Sequence, residues 1–481
     1  MNLRIAMTTA IVVAAALAAS VDRAAAASTV ALEHGTLTIK GDAASDELAL
    51  RAPASAARSL EVDFGDDGTP DVAFKLRKVE RIRVRTGGGD DAVRLDESSV
   101  AFTDRVPTTI EGEDGFDSLR LEGSADDERL RVSAKGTRVR VLRDSACQAI
   151  DLGGVEQVRA ATRGGADTVT VDNTSGTELQ DVGVDLGGPE GGAGGDGRRD
   201  RVILNATPGD DQPSVFAFAG ASVVGLPAFV HVENSEPTDR LTINGRGGDD
   251  LLSASTVGEP LIALTLDGGP GADVLFGGGG DDVLIGGPGF DDVQGRKGDD
   301  IVDLGSDNDR FIWNPGDGND VVDGEGGHNV LFFFGTSDAE TLDLSAHGRH
   351  LRLSRDVESV VLDLDDMTEI NPVVNGGADT ITVGDLSATG VDEVNVNLEP
   401  NLGTPGGDGQ PDRVIAAGTD GDDAVTVAGG ANGAVTVTGL AARLGITHAE
   451  SIDSLAIDTR AGHDTVDASG LAPNTIQLTT D

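Results

Sequence analysis

The sequence predicts an all-β protein built from short strands in stacked repeats. Runs such as Val169-Thr170-Val171 and Val425-Thr426-Val427 alternate branched apolar residues with polar ones and are bounded by glycine and aspartate. The 68 glycines among 481 residues indicate frequent turns. Beyond residue 28 no run combines helical periodicity with capping residues. Such short strands cannot each bury a face alone, so we expect them to stack on one another.

The composition excludes several classes of protein. The chain has 83 acidic against 36 basic residues and a net charge of -47, so its surface would repel nucleic acid rather than bind it. Cys147 is the only cysteine and cannot form an internal disulfide. High charge with few aromatic residues is typical of disorder, but 38% of the residues are apolar and can form a core.

Residues 1–28 have the pattern of a secretory signal peptide. Arg4 precedes an apolar run that ends at Ala19, and small residues suited to cleavage lie near Ala24–Ser28. A membrane anchor is the alternative, but the run is shorter than the roughly 20 residues that a span needs. No later segment is apolar enough to cross a bilayer. We therefore expect a secreted or cell-surface protein with no membrane span after removal of the signal peptide.

A nine-residue period runs through residues 268–332. Five uninterrupted nonapeptides, from GGPGADVLF to LGSDNDRFI, are followed by the insertion Trp313-Asn314 and by two more copies, PGDGNDVVD and GEGGHNVLF. The sixth position is aspartate in all but the last copy, and the eighth is always apolar. Glycine allows the backbone to turn with positive φ, and Ca²⁺ prefers carboxylate and carbonyl oxygens. The period therefore predicts calcium-binding turns.

This array resembles the G-G-x-G-x-D-x-U-x repeats of the RTX, or haemolysin-type, calcium-binding proteins that bacteria export. The resemblance implies a parallel β-roll or β-helix in which each nonapeptide is half a coil and calcium lies between neighbouring coils. It places Asp273, Asp291 and Asp309 in one row of metal ligands. It places Asp282, Asp300 and Asp320 in the other. The predicted carbonyl ligands are the array glycines Gly268, Gly269, Gly271, Gly277, Gly278, Gly280, Gly286, Gly287, Gly289, Gly295 and Gly298.

Some copies depart from the pattern. Leu304, Asp307 and Glu325 replace glycines, and Asn329 replaces the aspartate, so we expect the last two turns to bind calcium weakly or only to cap the roll. An outlying copy at 244–252 has Asp249 at its sixth position and Leu251 at its eighth. Because 15 residues separate it from the array, we expect Asp249 to lack a stacking partner.

A longer and less regular unit of about 50 residues occurs five times along the chain. Together, these patterns predict four segments. They are a signal peptide at 1–28, three units at 29–255, the nonapeptide roll at 256–334 and two units at 335–481. The linkers 184–205 and 396–417 also resemble each other. Asp481 aligns with Asp267, which precedes the array, so the chain is either truncated before a second array or simply ends there. The units close with a glycine turn and a single aspartate, which we expect to be a turn former without neighbours to complete a metal cage, at Asp91, Asp167, Asp379 and Asp464.

The expected function is that of an exported calcium-binding repeat protein without enzymatic activity, structural or adhesive in role. The histidines form no H-E-x-x-H helix, and the one close pair, His347 and His350, is expected to be a solvated turn. Cys147 has no recognisable catalytic partner. The alternative is an extracellular enzyme of the parallel β-helix type, such as a polysaccharide lyase or epimerase, carrying a calcium-binding module. Calcium is the expected partner, nucleic acid is not, and self-association or an unnamed cell-surface or matrix partner stays open.

Overall fold

The computed structural model describes residues 11–14, 28–56, 58–143, 148–188, 194–218, 220–258, 261–401, 403, 406–430 and 432–480. Cys147, Asp481 and most of the predicted signal peptide lie outside these residues. The described chain is strand and turn, with three 3-10 turns at Ala54–Ala56, Leu76–Lys78 and Val357–Ser359 and no helix long and apolar enough to cross a membrane. The all-β prediction is therefore confirmed.

The chain forms two compact units. The first contains residues 1–207, 213–243 and 261–263, and the second contains 208–212, 244–260 and 264–481. The nonapeptide array, residues 268–332, lies in the second unit.

The first unit consists of short strands in parallel ladders. They are β1 Ile11–Ala14, β2 Thr29–Glu33, β3 Thr36–Lys40, β4 Glu47–Arg51, β5 Ser59–Phe64, β6 Val72–Lys75, β7 Arg81–Gly88, β8 Ala92–Asp96, β9 Thr108–Asp114, β10 Ser118–Glu122, β11 Arg129–Lys135, β12 Arg138–Arg143, β13 Ala149–Gly153, β14 Gln157–Ala161, β15 Thr168–Val171, β16 Asp181–Asp185, β17 Arg201–Asn205, β18 Ser214–Ala217, β19 Ala221–Val224, β20 Phe229–Glu233 and β21 Arg240–Asn244.

Two ladders of the first unit run parallel through most of its repeats. One joins β3, β7, β9 and β13. The other joins β4, β8, β10, β14, β16 and β20. Antiparallel hairpins, such as β4 with β5 and β11 with β12, extend individual coils. Coils of the first unit therefore carry antiparallel hairpins.

The second unit also consists of short strands, and its shortest coils are those of the nonapeptide array. Its strands are β22 Leu251–Ser253, β23 Ala263–Asp267, β24 Val274–Phe276, β25 Val283–Pro288, β26 Asp292–Gln294, β27 Ile301–Ser306, β28 Arg310–Trp313, β29 Val321–Asp323, β30 Val330–Phe334, β31 Thr341–His347, β32 His350–Arg355, β33 Val360–Asp365, β34 Glu369–Val373, β35 Thr380–Val383, β36 Glu393–Asn397, β37 Arg413–Ala417, β38 Ala424–Gly429, β39 Val435–Thr438, β40 Arg443–Thr447, β41 Ser454–Asp458, β42 Thr465–Leu471 and β43 Gln477–Thr480.

Successive nonapeptides contribute strands to two ladders in turn. One ladder joins β22, β24, β26, β28 and β30 in parallel, and the other joins β23, β25, β27 and β29. Each strand therefore pairs with the strand two nonapeptides later, and each nonapeptide is half a coil. This is the parallel β-roll that the sequence predicts.

The eighth position of each nonapeptide forms the core of the roll. Leu275, Val293 and Phe311 are in register across neighbouring strands and are fully buried. Burial of each such side chain contributes about 1.5–3 kcal/mol relative to its exposure. For the outlying copy, the prediction of Leu251 at the eighth position is wrong by one residue. Leu252 is the residue that is buried and in register with Leu275.

Trp313, from the insertion after the fifth nonapeptide, enlarges this core. It is fully buried, and its ring stacks on Phe333 with 4.4 Å between centroids and 7° between planes. Its indole N–H donates to the carbonyl of Gly318 at 3.0 Å. The guanidinium of Arg355 lies 5.6 Å from the indole centroid. The only tryptophan of the chain is thus a core residue of the array.

Candidate metal centre

The sixth-position aspartates of the array form hydrogen-bonded rows along the coils. The backbone N–H of Asp273 donates to Oδ1 of Asp291 at 2.8 Å, and that of Asp291 donates to Oδ1 of Asp309 at 2.9 Å. On the other side of the roll, the N–H of Asp282 donates to Asp300 at 2.8 Å and that of Asp300 donates to Asp320 at 3.0 Å. We name these row one and row two. The structure therefore brings the six predicted aspartates together in the two sets expected from the sequence.

The second carboxylate oxygen of most row members has no protein partner. In this array the Oδ2 atoms of Asp273, Asp291, Asp300, Asp309 and Asp320 are buried and accept no hydrogen bond. Asp282 differs, because its Oδ2 accepts from the N–H of Gly278 at 2.6 Å. An unpaired buried carboxylate oxygen is costly in an apolar surrounding. The row geometry therefore leaves acceptor oxygens that need a positive partner.

At two first-position glycines a backbone carbonyl lies close to the row carboxylate. A β-carbon placed on Gly286 would lie 2.5 Å from the carbonyl oxygen of Leu304 and 2.6 Å from Oδ2 of Asp291. Gly277 is enclosed in the same way by the carbonyl of Gly295 and by Asp282. Carboxylate and carbonyl oxygens therefore converge where any other residue would carry a side chain. Such a group of oxygens is the donor set that Ca²⁺ prefers.

The contacts of Asn329 show what surrounds the second carboxylate oxygen of a row residue. It occupies the sixth position of the last nonapeptide, and its Oδ1 accepts from the N–H of Asp309 at 3.1 Å, as an aspartate would. Its amide nitrogen replaces the second carboxylate oxygen and donates to the carbonyls of Gly324 at 2.7 Å and Asp366 at 3.2 Å. Carbonyl oxygens thus face this position, and they bind a hydrogen-bond donor at Asn329. At the aspartates the same place is suited to a cation.

The fourth-position glycines shape the turns of the array. Gly289 has φ of +142°, and a β-carbon there would collide with the carbonyl of Gly271 one coil away.

The predicted glycine ligands fall into three sets by position in the turn. The first-position glycines are Gly268, Gly277, Gly286 and Gly295. The second-position glycines are Gly269, Gly278 and Gly287. The fourth-position glycines are Gly271, Gly280, Gly289 and Gly298.

Burial raises the pKa of every row aspartate. The pKa is about 6 for Asp273, Asp282 and Asp309, and about 7 for Asp291 and Asp320. For Asp300 burial, reinforced by the charges of Asp320 and Asp282, raises the pKa to about 8. Neighbouring carboxylates in a low-dielectric place disfavour one another's charged form. Without a cation these groups therefore keep their protons to a higher pH than an exposed aspartate does, Asp300 to about pH 8.

The outlying nonapeptide is part of row one, which corrects two predictions. Asp250, not Asp249, is the sixth-position residue, and its N–H donates to Oδ1 of Asp273 at 2.7 Å. The outlying copy is therefore not isolated, because its strand pairs directly with that of the first array copy. Asp249 is exposed and accepts from the N–H of Ala272 at 3.0 Å.

The rows also continue outside the array, contrary to the expectation that the closing aspartates stand alone. Each accepts a backbone N–H from an acidic residue of the preceding coil at 2.6–2.8 Å. The pairs, donor first, are Asp46 with Asp91, Glu128 with Asp167, Glu340 with Asp379, and Asp423 with Asp464. These residues are 39 to 45 positions apart in sequence. They are neighbours only because the coils stack.

Two of these outer row members are glutamates with a buried arginine. Arg355 donates to Oε1 of Glu340 at 2.5 Å, and both side chains are fully buried. Arg143 pairs with Glu128 in the same way, and also with Glu97 at 2.9 Å. At these two places the chain supplies its own cation to the row.

The fifth-position residues of the array form an additional, exposed row, which was not predicted from the sequence. The N–H of Asp299 donates to Oδ1 of Asp281 at 2.9 Å, and the N–H of Asn319 donates to Oδ1 of Asp299 at 3.0 Å. These bonds run in the opposite direction along the stack to those of the buried rows. The Asp-Asp pairs at positions five and six, such as Asp281-Asp282, are the sequence feature that indicates this exposed row.

The carboxylates of Asp323, Asp365 and Asp366 form a separate group whose oxygens lie within 4.8 Å of one another. Arg349 is ion-paired with Asp365, and the charges of Asp366 and Asp323 also act on Arg349. This group therefore has its own arginine.

Comparison with protein families agrees with the geometry of the array. The model of the RTX calcium-binding nonapeptide repeat, found in 4 copies, matches residues 265–293, 280–311 and 316–332. No curated protein matches the chain. The predicted resemblance is thus confirmed for this segment, which consists of calcium-binding nonapeptide repeats.

Proposed function

We propose that the chain is an exported, non-enzymatic protein whose nonapeptide array folds around calcium and gives it a structural or adhesive role outside the cell. The observation that carries the proposal is the convergence of the unpaired Oδ2 of Asp291 and the carbonyl oxygen of Leu304 at Gly286.

The residues of the two rows would hold the ions. In row one these are the carboxylates of Asp273, Asp291 and Asp309, and in row two those of Asp282, Asp300 and Asp320, with array carbonyls completing the donor set. A bound calcium ion supplies positive charge that neutralises stacked carboxylates. In every row carboxylate except Asp282, a row hydrogen bond orients one oxygen and leaves the other free to act as a ligand.

Neutralisation would couple metal binding to folding. Buried carboxylates on neighbouring coils repel one another when ionised, and a divalent cation removes that repulsion in the compact state only. The net charge of -47 adds to the repulsion in the calcium-free chain. Calcium outside the cell would therefore complete the fold after export.

The signal-peptide pattern of residues 1–28 supports export, and the absence of a catalytic motif from the sequence supports a non-enzymatic role. The long exposed surfaces of stacked strands suit a structural or adhesive protein.

Isothermal titration calorimetry with calcium tests the proposal, paired with circular dichroism of the protein with and without chelator. We expect saturable binding of several ions and a gain of β structure on adding calcium. A chain that binds no calcium and has the same spectrum in both conditions contradicts it.

A further inference from the structure

A groove of about 910 Å³ lies in the first unit. Strands β3, β7 and β9 and the β11–β12 hairpin contribute to its lining. Its basic side chains are Lys40, Arg83, Arg85 and Arg138, and its acidic ones are three glutamates. The chain as a whole has 83 acidic against 36 basic residues. The groove therefore reverses the charge balance of the protein.

Two of the four basic side chains are paired inside the groove. Arg85 forms an ion pair with Glu113, and Arg138 forms one with Glu111 at 2.9 Å. These two glutamates are therefore already compensated and leave the other two cations of the groove unneutralised.

Lys40 and Arg83 are the two cations without a partner. Both are exposed, and in the described part of the chain neither makes an ion pair or a hydrogen bond with another side chain. Arg83 alternates with the buried Ile82 and Val84, so its side chain lies on the outward face of the sheet. The strand register places Lys40 directly beside Arg85, and like charges in this arrangement repel each other. A bound anion would remove this repulsion.

Hydroxyl groups and a carboxylate accompany these cations in the groove. The register places Arg83 between Thr38 and Thr109, and the exposed Glu178 also lines the groove. Among the described lining residues, Val84 is the only large apolar one and none is aromatic. A protein partner normally needs an apolar or aromatic centre in its interface. The groove is therefore better suited to a ligand rich in carboxylates and hydroxyl groups.

A second groove, of about 550 Å³, lies on the same sheet of the first unit and repeats this chemistry. Its polar lining residues are Arg199, Asp200, Arg201, Thr238, Arg240 and Thr242. Arg199 and Arg201 are exposed and, within the described residues, have no side-chain partner. Five strand spacings of about 4.8 Å each separate β9 from β17. Only a polymer could therefore reach both grooves.

We propose that this sheet face binds an acidic polysaccharide, a chain of sugars that carry carboxylates. Lys40 and Arg83 would hold carboxylates in the first groove, and Arg199 and Arg201 in the second, since guanidinium groups bind carboxylates through paired hydrogen bonds. Threonine hydroxyls and Glu178 would bind the sugar hydroxyls. The inference rests on the proposed function, because it supplies a partner for the adhesive role outside the cell.

Fluorescence anisotropy of a labelled hyaluronate chain, in which alternate sugars carry a carboxylate, tests the proposal on the full-length protein in calcium. We expect saturable binding that weakens as the salt concentration rises. A labelled dextran, which is a neutral polysaccharide, should not bind. Lys40→Gln/Arg83→Gln should weaken hyaluronate binding about tenfold or more, because two charged contacts are lost. Neither side chain has a protein partner, so this variant should fold normally.

Arg77→Gln/Lys78→Gln is the matched control. It makes the same change of charge at exposed residues outside both grooves and should keep the affinity of the unmodified chain. Equal affinities of the two double variants would overturn the proposed site. Polyglutamate that binds as tightly as hyaluronate would overturn the sugar ligand and indicate an acidic protein partner instead.

Calorimetric calcium titration of the same variants separates this proposal from the function proposed for the array. The groove residues lie outside residues 265–332, so Lys40→Gln/Arg83→Gln should bind calcium as the unmodified chain does. An unmodified chain that binds calcium but no hyaluronate would overturn the polysaccharide site and leave the calcium-binding function standing.

Discussion

The backbone N–H of Asp309 donates to Oδ1 of Asn329 at 3.1 Å, just as the N–H of Asp291 donates to Asp309 at 2.9 Å. Asparagine therefore keeps the row bond that joins one coil to the next. It replaces the unpaired carboxylate oxygen with a donor to carbonyls. An aspartate-to-asparagine change in these rows thus removes charge without removing the bond between coils, which makes it a clean test of metal binding.

Asp300→Asn should weaken calcium binding at least tenfold, because Asp300 supplies the central carboxylate of row two. Its neighbour Asp299 is exposed and belongs to the outer row, so Asp299→Asn is the matched control and should leave the affinity nearly unchanged. Calorimetric titration of both variants measures the difference. Equal affinities would mean that the buried row does not bind the metal.

Removing calcium should loosen the array and expose Trp313. The indole is fully buried against Phe333, so adding a chelator should shift its emission to longer wavelength, and restoring calcium should reverse the shift. Magnesium at the same concentration is the control, since it keeps its waters and fits such sites poorly. Emission that does not respond to chelation would contradict coupling between calcium and folding.

Calcium affinity should rise with pH between about 6 and 8, because the pKa values of the row aspartates run from about 6 at Asp273 through about 7 at Asp291 to about 8 at Asp300. The metal binds the ionised carboxylates and displaces their protons. Titrations in buffers of different ionisation enthalpy should therefore show proton release. A flat affinity over this range would argue against the buried rows as the site.

The stability of the calcium-free protein should change with pH in the opposite sense. Burial raises the folded-state pKa of these aspartates above the ordinary value of 3.8, so the folded chain keeps protons that the unfolded chain has lost. The resulting decrease in the free energy of unfolding is absent below pH 4, grows as pH rises and levels off above about pH 8. Urea unfolding, monitored by Trp313 emission, measures this free energy. An increase in the stability of the calcium-free protein from pH 4 to 8 would contradict the prediction.

Gly286→Ala should destabilise the array and impair calcium binding. The methyl group would lie 2.5 Å from the carbonyl of Leu304 and 2.6 Å from Oδ2 of Asp291, and overpacking of this kind costs about 1–3 kcal/mol. Gly326→Ala is the control, because its added methyl would meet nothing within 4 Å. Urea unfolding of both variants in calcium should separate them, and equal stability would show that the first-position glycine is not required.

Arg355→Met should lower the free energy of unfolding by about 3–5 kcal/mol, because it leaves Glu340 charged and unpaired in the core. Adding Glu340→Gln to that variant should recover part of the loss by removing the buried charge. Urea unfolding of the single and double variants tests this coupling. Additive losses would show that the two side chains act independently.

Much of the fold follows from residue patterns alone. The resemblance of the nine-residue period to the calcium-binding nonapeptides implies that each copy is half a coil, and this predicts the row partners of Asp273 and Asp282. The off-by-one register at Asp249 and Asp250 has a simple cause. Both are acidic, and both precede an apolar residue at the required distance, so local pattern cannot distinguish them. Stacking against Asp273 and Leu275 decides between them, because only one register buries the leucine.

The local repeat, through its resemblance to calcium-binding nonapeptides, is sufficient to predict the all-β roll and its two rows of aspartates, because each row member lies one fixed coil from the next. Tertiary structure alone reveals that the rows continue through the flanking coils, where partners such as Glu340 and Asp379 are 39 residues apart. It also decides which of those acids are paired with a buried arginine and which are not. Hairpins and loops of varying length separate these residues along the chain. Their proximity therefore arises from the stacking of whole coils, which no short-range pattern records.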